Sequence, residues 1–379
     1  MSGRQTSQLP LAGANGRASS PAVAQAPIAI LGEDTGGTPD EAYVKFTQEL
    51  ASALRSRHTE IIELSIGETG GPRSDPLCDL ARLRGAARRA RAAGAGTIIY
   101  ASRSSCTLPA LLRARLLKLA GPGLLVVMVA LQPRDLPEPR RRIARRLWPD
   151  LVLVGTVADR ERLRRWGAAA EVISGGVDLG RFRPSLDARE RAALRVRWSL
   201  PPDRDLVLHV GHATRGRNLG ALLPLTALPG VTLLLVLSSR QEATAGPALE
   251  ELRRRGTIVR EGYLPQVEEL YRASDCYVLP TTSTDHVVAL PLSVIEALAS
   301  GLPVVATRVG ALPERFPDEP GVRLVESDRE LGSGVLRQLA ARPATRHLAE
   351  PFTWQAQAAT ILELVRRLRP PVPQETIAP

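Results

Sequence analysis

Ser293-Val-Ile-Glu296 places a hydroxyl three residues ahead of a carboxylate, at the head of the apolar stretch "LSVIEALASGLPVVATRVGALPE" (292–314). That spacing is the pattern of a capping box, in which the two side chains satisfy backbone N–H groups of a helix's first turn. A carboxylate is also an acceptor-only group with two oxygens, suited to binding a pair of hydroxyls. Both readings place Glu296 near a helix N-terminus, where free N–H groups and the helix dipole favour an anion.

The elements around this carboxylate are legible. Ala297, Leu298 and Ala299 continue a helix and Gly301 stops it. Val304-Val305-Ala306-Thr307 is an uninterrupted run suited to a strand buried on both faces. A helix followed at once by a buried strand is half of a βαβ unit. The same alternation runs through the chain. Strands are expected at 27–32, 60–66, 96–102, 123–131, 150–156 and 170–176, then at 206–211, 231–238, 257–263, 276–281 and 303–307. A charged, Pro-bearing segment separates the two sets, which implies two Rossmann-like domains with the ligand crevice between them.

Composition bounds the partners. The chain has 379 residues, 44% of them apolar, with a formal net charge of +11. Lysine occurs only at Lys45 and Lys118, so the excess charge is almost all arginine. Aromatic residues make up 3%, too few for base-stacking platforms, and nucleic acid is not expected as a partner. Cys78, Cys106 and Cys276 lack metal-ligand spacing and fit a reducing, cytoplasmic setting. No apolar run is long enough to span a bilayer. Residues 1–26 and 369–379 read as disordered tails. Helices at 108–121 and 138–148 mix leucine with Arg113, Arg115, Lys118, Arg140, Arg141, Arg142, Arg145 and Arg146. This pattern suits a solvated amphipathic face, or peripheral contact with the inner face of a membrane.

Several segments together resemble the family 4 glycosyltransferases of the GT-B type. These are "ISGGVDLGRFRP" (173–184), "LHVGHATRGRNLGALL" (208–223), which resembles a strand, loop and helix opening the second domain, "LPQVEELYRASDCYVLPT" (264–281) and the stretch around Glu296. "FTWQAQAATILELVRRL" (352–368) adds a terminal helix. The resemblance implies an acceptor domain over 27–186, a nucleotide-sugar donor domain over 187–351, and a helix at 352–368 crossing back onto the first. It implies retaining sugar transfer from a nucleotide-sugar to an unidentified acceptor, without metal or cofactor. By the same resemblance Glu296 binds the nucleotide ribose and Arg217 grips the diphosphate. Gly36, Gly37, Gly211, His212, Leu292 and Ser293 complete the donor site.

The chain departs from the family pattern at four places. Val288 stands where the first Glu of the family's Glu-x7-Glu motif is expected, with Asp285 and His286 nearby. Pro291 replaces a glycine, His212 an arginine, and Leu131-Gln132 a histidine. The alternatives left open are a catalytically weakened partner or nucleotide-binding subunit, and a nucleotide-sugar epimerase on the same architecture. No residue stands out as a catalytic base; His58, His209 and His347 read as structural or exposed.

Overall fold

The computed structural model describes residues 26–33, 42–57, 60–67, 76–102, 104–241, 246–283, 287–317 and 319–369. The first half alternates β1 (Ile28–Gly32), α1 (Ala42–Arg55), β2 (Ile61–Ser65), α2 (Pro76–Ala92), β3 (Thr97–Ala101) and α3 (Leu108–Ala120). It continues with β4 (Leu125–Ala130), α4 (Glu138–Ala144), β5 (Leu151–Val154), α5 (Val157–Arg165) and β6 (Ala170–Val172). All pairings are parallel, in the order β2-β1-β3-β4-β5-β6. Strands such as "IAILG" and "TIIYA" are buried along their whole length because helices cover both faces of the sheet.

The second half begins with α6 (Ala188–Arg197), β7 (Asp205–Ala213), β8 (Val231–Gln241), α7 (Gly246–Arg254), β9 (Ile258–Glu261) and α8 (Val267–Ala273). Then come β10 (Cys276–Leu279), α9 (Leu292–Ala299), β11 (Val304–Thr307), α10 (Leu312–Arg315), β12 (Val322–Val325), α11 (Leu331–Ala341) and α12 (Arg346–Ala349). Its sheet is also parallel, ordered β12-β11-β10-β7-β8-β9. Strand order reverses between β1 and β3 in one sheet and between β7 and β10 in the other. Such reversals open crevices at strand C-terminal ends.

The chain crosses between the halves at Val177 and returns at Thr353, where the two residues form a parallel bridge. The Val177 N–H donates to the Phe352 carbonyl at 2.7 Å, and the Ser174 N–H donates to Gln357 Oε1 at 3.1 Å. The last helix, α13 (Trp354–Leu368), packs on the first domain, with the Trp354 ring edge-on to Phe46 at 5.3 Å. Gly176 permits this junction, since a Cβ there would lie 2.8 Å from the Trp354 Cα.

Two local expectations change. The segment after β7 is not an α-helix: Leu219–Ala227 winds as 3-10 turns around Pro224, which has no N–H to continue an α-helical ladder. Strand β12 is an addition to the expected set: Arg323 is exposed and interrupts its apolar run, so "VRLV" lacks the continuous pattern of a buried strand.

Candidate functional site

The two sheets face each other across a cavity of about 620 Å³. The second domain supplies Gly211, His212, Thr214 and Arg217 from the end of β7, and Pro291, Leu292, Ser293 and Glu296 from α9. The first supplies Lys45 and Glu49 from α1, Ser102, Ser104 and Ser105 after β3, and Gln132 and Arg134 after β4. The expected donor residues from Gly211 to Glu296 therefore meet in one place. Gly36 and Gly37 lie outside the described residues, as do Asp285 and His286.

Arg217 ends the short 3-10 turn Arg215–Arg217 beyond β7 and is only 9% exposed. Its guanidinium makes no side-chain hydrogen bond or ion pair among the described residues, and its Nε is buried without a partner. Burial holds its pKa below the usual arginine value. An uncompensated buried cation is costly unless something anionic completes it. Beside it, His209 is fully buried; its Nδ1 donates to the Val278 carbonyl at 3.0 Å, leaving Nε2 with no partner. Burial lowers the His209 pKa to about 4, so the ring is neutral at physiological pH. A Cβ on Gly211 would come 3.0 Å from His209 Nε2 and 3.8 Å from an Arg217 nitrogen, so glycine keeps this floor open. His212 binds the Ser238 hydroxyl through Nδ1.

Glu296 is not part of a capping box. Pro291 occupies the N-cap and no side chain caps α9, which puts Ser293 inside the first turn and Glu296 in the second. Ser293 instead accepts from the Tyr277 hydroxyl at 2.7 Å. Glu296 is 4% exposed; Oε2 accepts from the Tyr271 hydroxyl at 3.0 Å and Oε1 from Lys45 Nζ. Burial, followed by the nearby Glu296 charge, drives the Tyr271 pKa well above that of a free phenol. Val294 N–H folds back onto the Pro291 carbonyl. That leaves the Leu292 and Ser293 N–H groups, which a helix cannot satisfy internally, at the cavity rim. The Leu292 side chain also plugs into the first domain's core against Gly175.

Lys45, Glu49 and Tyr271 escaped the sequence reading. Lys45 carried a signal in being one of two lysines in an arginine-rich chain, with Glu49 one helical turn on. Glu49 is half-buried, and burial raises its pKa while Lys45 opposes the rise. The departures Val288, Pro291, Leu131 and Gln132 all line the cavity. On the outer face, α3 exposes Leu112 and Leu119 and α4 exposes Ile143. Among the described residues no helix is long and apolar enough to cross a membrane.

The architecture is that of the GT-B glycosyltransferases. Sucrose-phosphate synthase from Thermosynechococcus elongatus superposes with a TM-score of 0.69 at 21% identity, covering 91% of this chain and 99% of that one. HepE from Anabaena, solved in complex with UDP-glucose, gives 0.67 at 17% identity, covering 90% and 99%. Within this fold, residues 205–340 match the family Glycosyl transferases group 1. Among curated relatives, a D-inositol 3-phosphate glycosyltransferase of Saccharomonospora viridis is 31% identical over 271 residues, 62% of this chain and 61% of that protein. One from Xylanimonas cellulosilytica is 32% identical over 262 residues, 62% of each. The chain thus spans about six-tenths of the length of the curated relatives it matches.

Proposed function

We propose that the protein transfers a sugar, with retention of configuration, from a nucleoside-diphosphate sugar to a hydroxyl acceptor. One observation carries this reading: a buried Arg217, unpaired among the described residues, opens onto the same interdomain cavity as the Glu296 carboxylate. A diphosphate would neutralise the guanidinium, and a ribose diol would donate to the carboxylate. As the glycosidic bond breaks, negative charge grows on the leaving diphosphate. Arg217 and the Leu292 and Ser293 N–H groups stand where they would stabilise it. The solved HepE complexes with UDP and UDP-glucose support a uridine nucleotide as donor. The names of the curated relatives support a phosphorylated polyol as acceptor.

A second reading is a nucleotide-binding partner with weakened catalysis, favoured by Val288 lining the cavity where the first family carboxylate would stand. Thermal melting with UDP, GDP, ADP and their glucose conjugates separates the two when followed by an assay for nucleoside diphosphate release with inositol phosphate present. Binding with release supports the transferase, and binding without it supports the partner. Glu296→Gln tests the ribose contact. Preference for UDP over its 2′,3′-dideoxy analogue is expected to fall by about 1.5–3 kcal/mol, the worth of hydrogen bonds to a charged group. An unchanged preference would remove Glu296 from the donor site.

A further inference from the structure

We infer that Lys45 is a latch that occupies Glu296 when the cleft is empty, and that the nucleotide ribose must displace it. The inference rests on Glu296 being the ribose acceptor. Lys45 projects from α1 of the first domain and reaches Glu296 on α9 of the second, so the ion pair bridges the cavity. Its side chain is 20% exposed and that of Glu296 is 6%, so the pair is shielded from much solvent screening. The two carboxylate oxygens are divided: Oε2 belongs to Tyr271 and Oε1 to Lys45. A diol donating two hydrogen bonds therefore competes with the ammonium, while the Tyr271 contact at the back of the carboxylate can persist.

The displaced ammonium has a place to go. Glu49 lies one turn further along α1, on the face that lines the same cavity. Side chains four apart on a helix are neighbours. The Phe182 ring, with its centroid 5.2 Å from Lys45 Nζ, offers a second surface for the charge. Burial raises the Glu49 pKa, and an arriving ammonium would favour the ionised carboxylate there. Nucleotide binding would thus exchange one ion pair for another, and would release a tie between the domains as it does so.

The affinity consequence follows from population arithmetic. A ligand's apparent affinity falls in proportion to the fraction of molecules ready to bind it. If about nine molecules in ten are latched, removing the latch tightens binding about tenfold. The gain is confined to nucleotides that carry the diol, because a ligand without it has no need of Glu296.

The experiment measures dissociation constants for uridine, guanosine and adenosine diphosphates, each with its 2′,3′-dideoxy analogue. Wild type, Lys45→Met, Lys45→Arg and Glu296→Gln are compared by calorimetry. The preference for the diol is expected to widen about tenfold in Lys45→Met and to stay at the wild-type value in Lys45→Arg, whose charge can still reach the carboxylate. A preference unchanged or narrowed in Lys45→Met, with Glu296→Gln still collapsing it, overturns the latch and leaves the ribose reading standing. A preference unchanged in Glu296→Gln overturns both. A second measurement needs no variant: carbodiimide should join Lys45 to Glu296 in the empty protein and fail to do so at saturating nucleotide. A crosslink that persists under saturation refutes displacement.

Discussion

Two buried charges, Glu33 in the first domain and Arg217 in the second, are treated in opposite ways. In the first domain, Glu33 directly follows β1 and is 2% exposed, with partners from its own domain. It accepts from the Tyr100 hydroxyl, from Ser102 Oγ at 3.0 Å and from Arg113 at 3.4 Å. Burial, reinforced by the adjacent Glu33 charge, drives the Tyr100 pKa far above the usual phenol range. In the second domain, Arg217 is 9% exposed and lines the cavity; its Nε, like Nε2 of the fully buried His209, has no partner among the described residues. A satisfied buried charge is a structural element; an unsatisfied one facing a cavity stores a cost that a ligand of opposite sign removes. Under the proposed function the nucleotide takes the second-domain wall, and the first-domain wall, with its serines, Gln132 and Arg134, is left to the phosphorylated acceptor.

Arg217→Met should produce the largest effect. Nucleoside diphosphate affinity is expected to drop by about 2–5 kcal/mol, the usual loss when one member of a buried charge pair is truncated. The empty protein should melt about 2–4 °C higher, because an uncompensated buried charge has gone. Opposite signs for binding and stability are the mark of a site held at a cost to the fold. If the melting temperature falls as well, Arg217 has a structural partner and the contrast between the walls collapses.

His209 gives a second, intermediate effect that pH reveals. Its folded-state pKa is lowered to about 4 from 6.5, so the folded state resists a proton that the unfolded chain accepts. Stability from the neutral ring is complete above about pH 6.5 and is lost as pH falls towards 4. Over that window the loss is on the order of 3 kcal/mol. His209→Asn keeps a donor for the Val278 carbonyl and cannot titrate. Denaturant melts of the two proteins should converge as pH falls from 6.5 to 4, with wild type losing stability faster. Parallel curves would mean that His209 already finds water or another acceptor.

The smallest effect belongs to the first-domain wall. Ser104→Ala and Gln132→Ala should leave nucleoside diphosphate affinity within about 0.5 kcal/mol, as for substitutions away from a binding contact. They should raise the KM for the acceptor instead. A matching loss of nucleotide affinity would show that the two walls share one ligand.

Much of this was readable without coordinates, and what was not has identifiable physical causes. Strands such as Val304–Thr307 and Thr97–Ala101 were legible because burial on both faces demands a continuous apolar run. The Leu219–Ala227 segment misled because leucine and alanine favour a helix by composition, while one proline decides the geometry. The capping-box reading of Ser293 and Glu296 failed for a related reason. Helix α9 starts at Leu292 with Pro291 at the N-cap, so the Ser-x-x-Glu spacing falls two positions too late to close over the helix end.

The sequence by itself determined two doubly wound parallel domains and the order of most of their elements, which follow from periodicity and local spacing that the chain carries residue by residue. The set of residues from Gly211 to Glu296 came from the resemblance of their segments to a known family. Only the tertiary structure decided which charges are paired. Lys45 and Glu296 are 251 positions apart, and nothing local in either segment points to the other. Arg217 looks like any surface arginine of an arginine-rich chain until folding buries it with no counter-ion among the described residues. Pairing and its absence depend on distances across the cleft, and those arise when the chain crosses at Val177 and returns at Thr353 to set one sheet against the other.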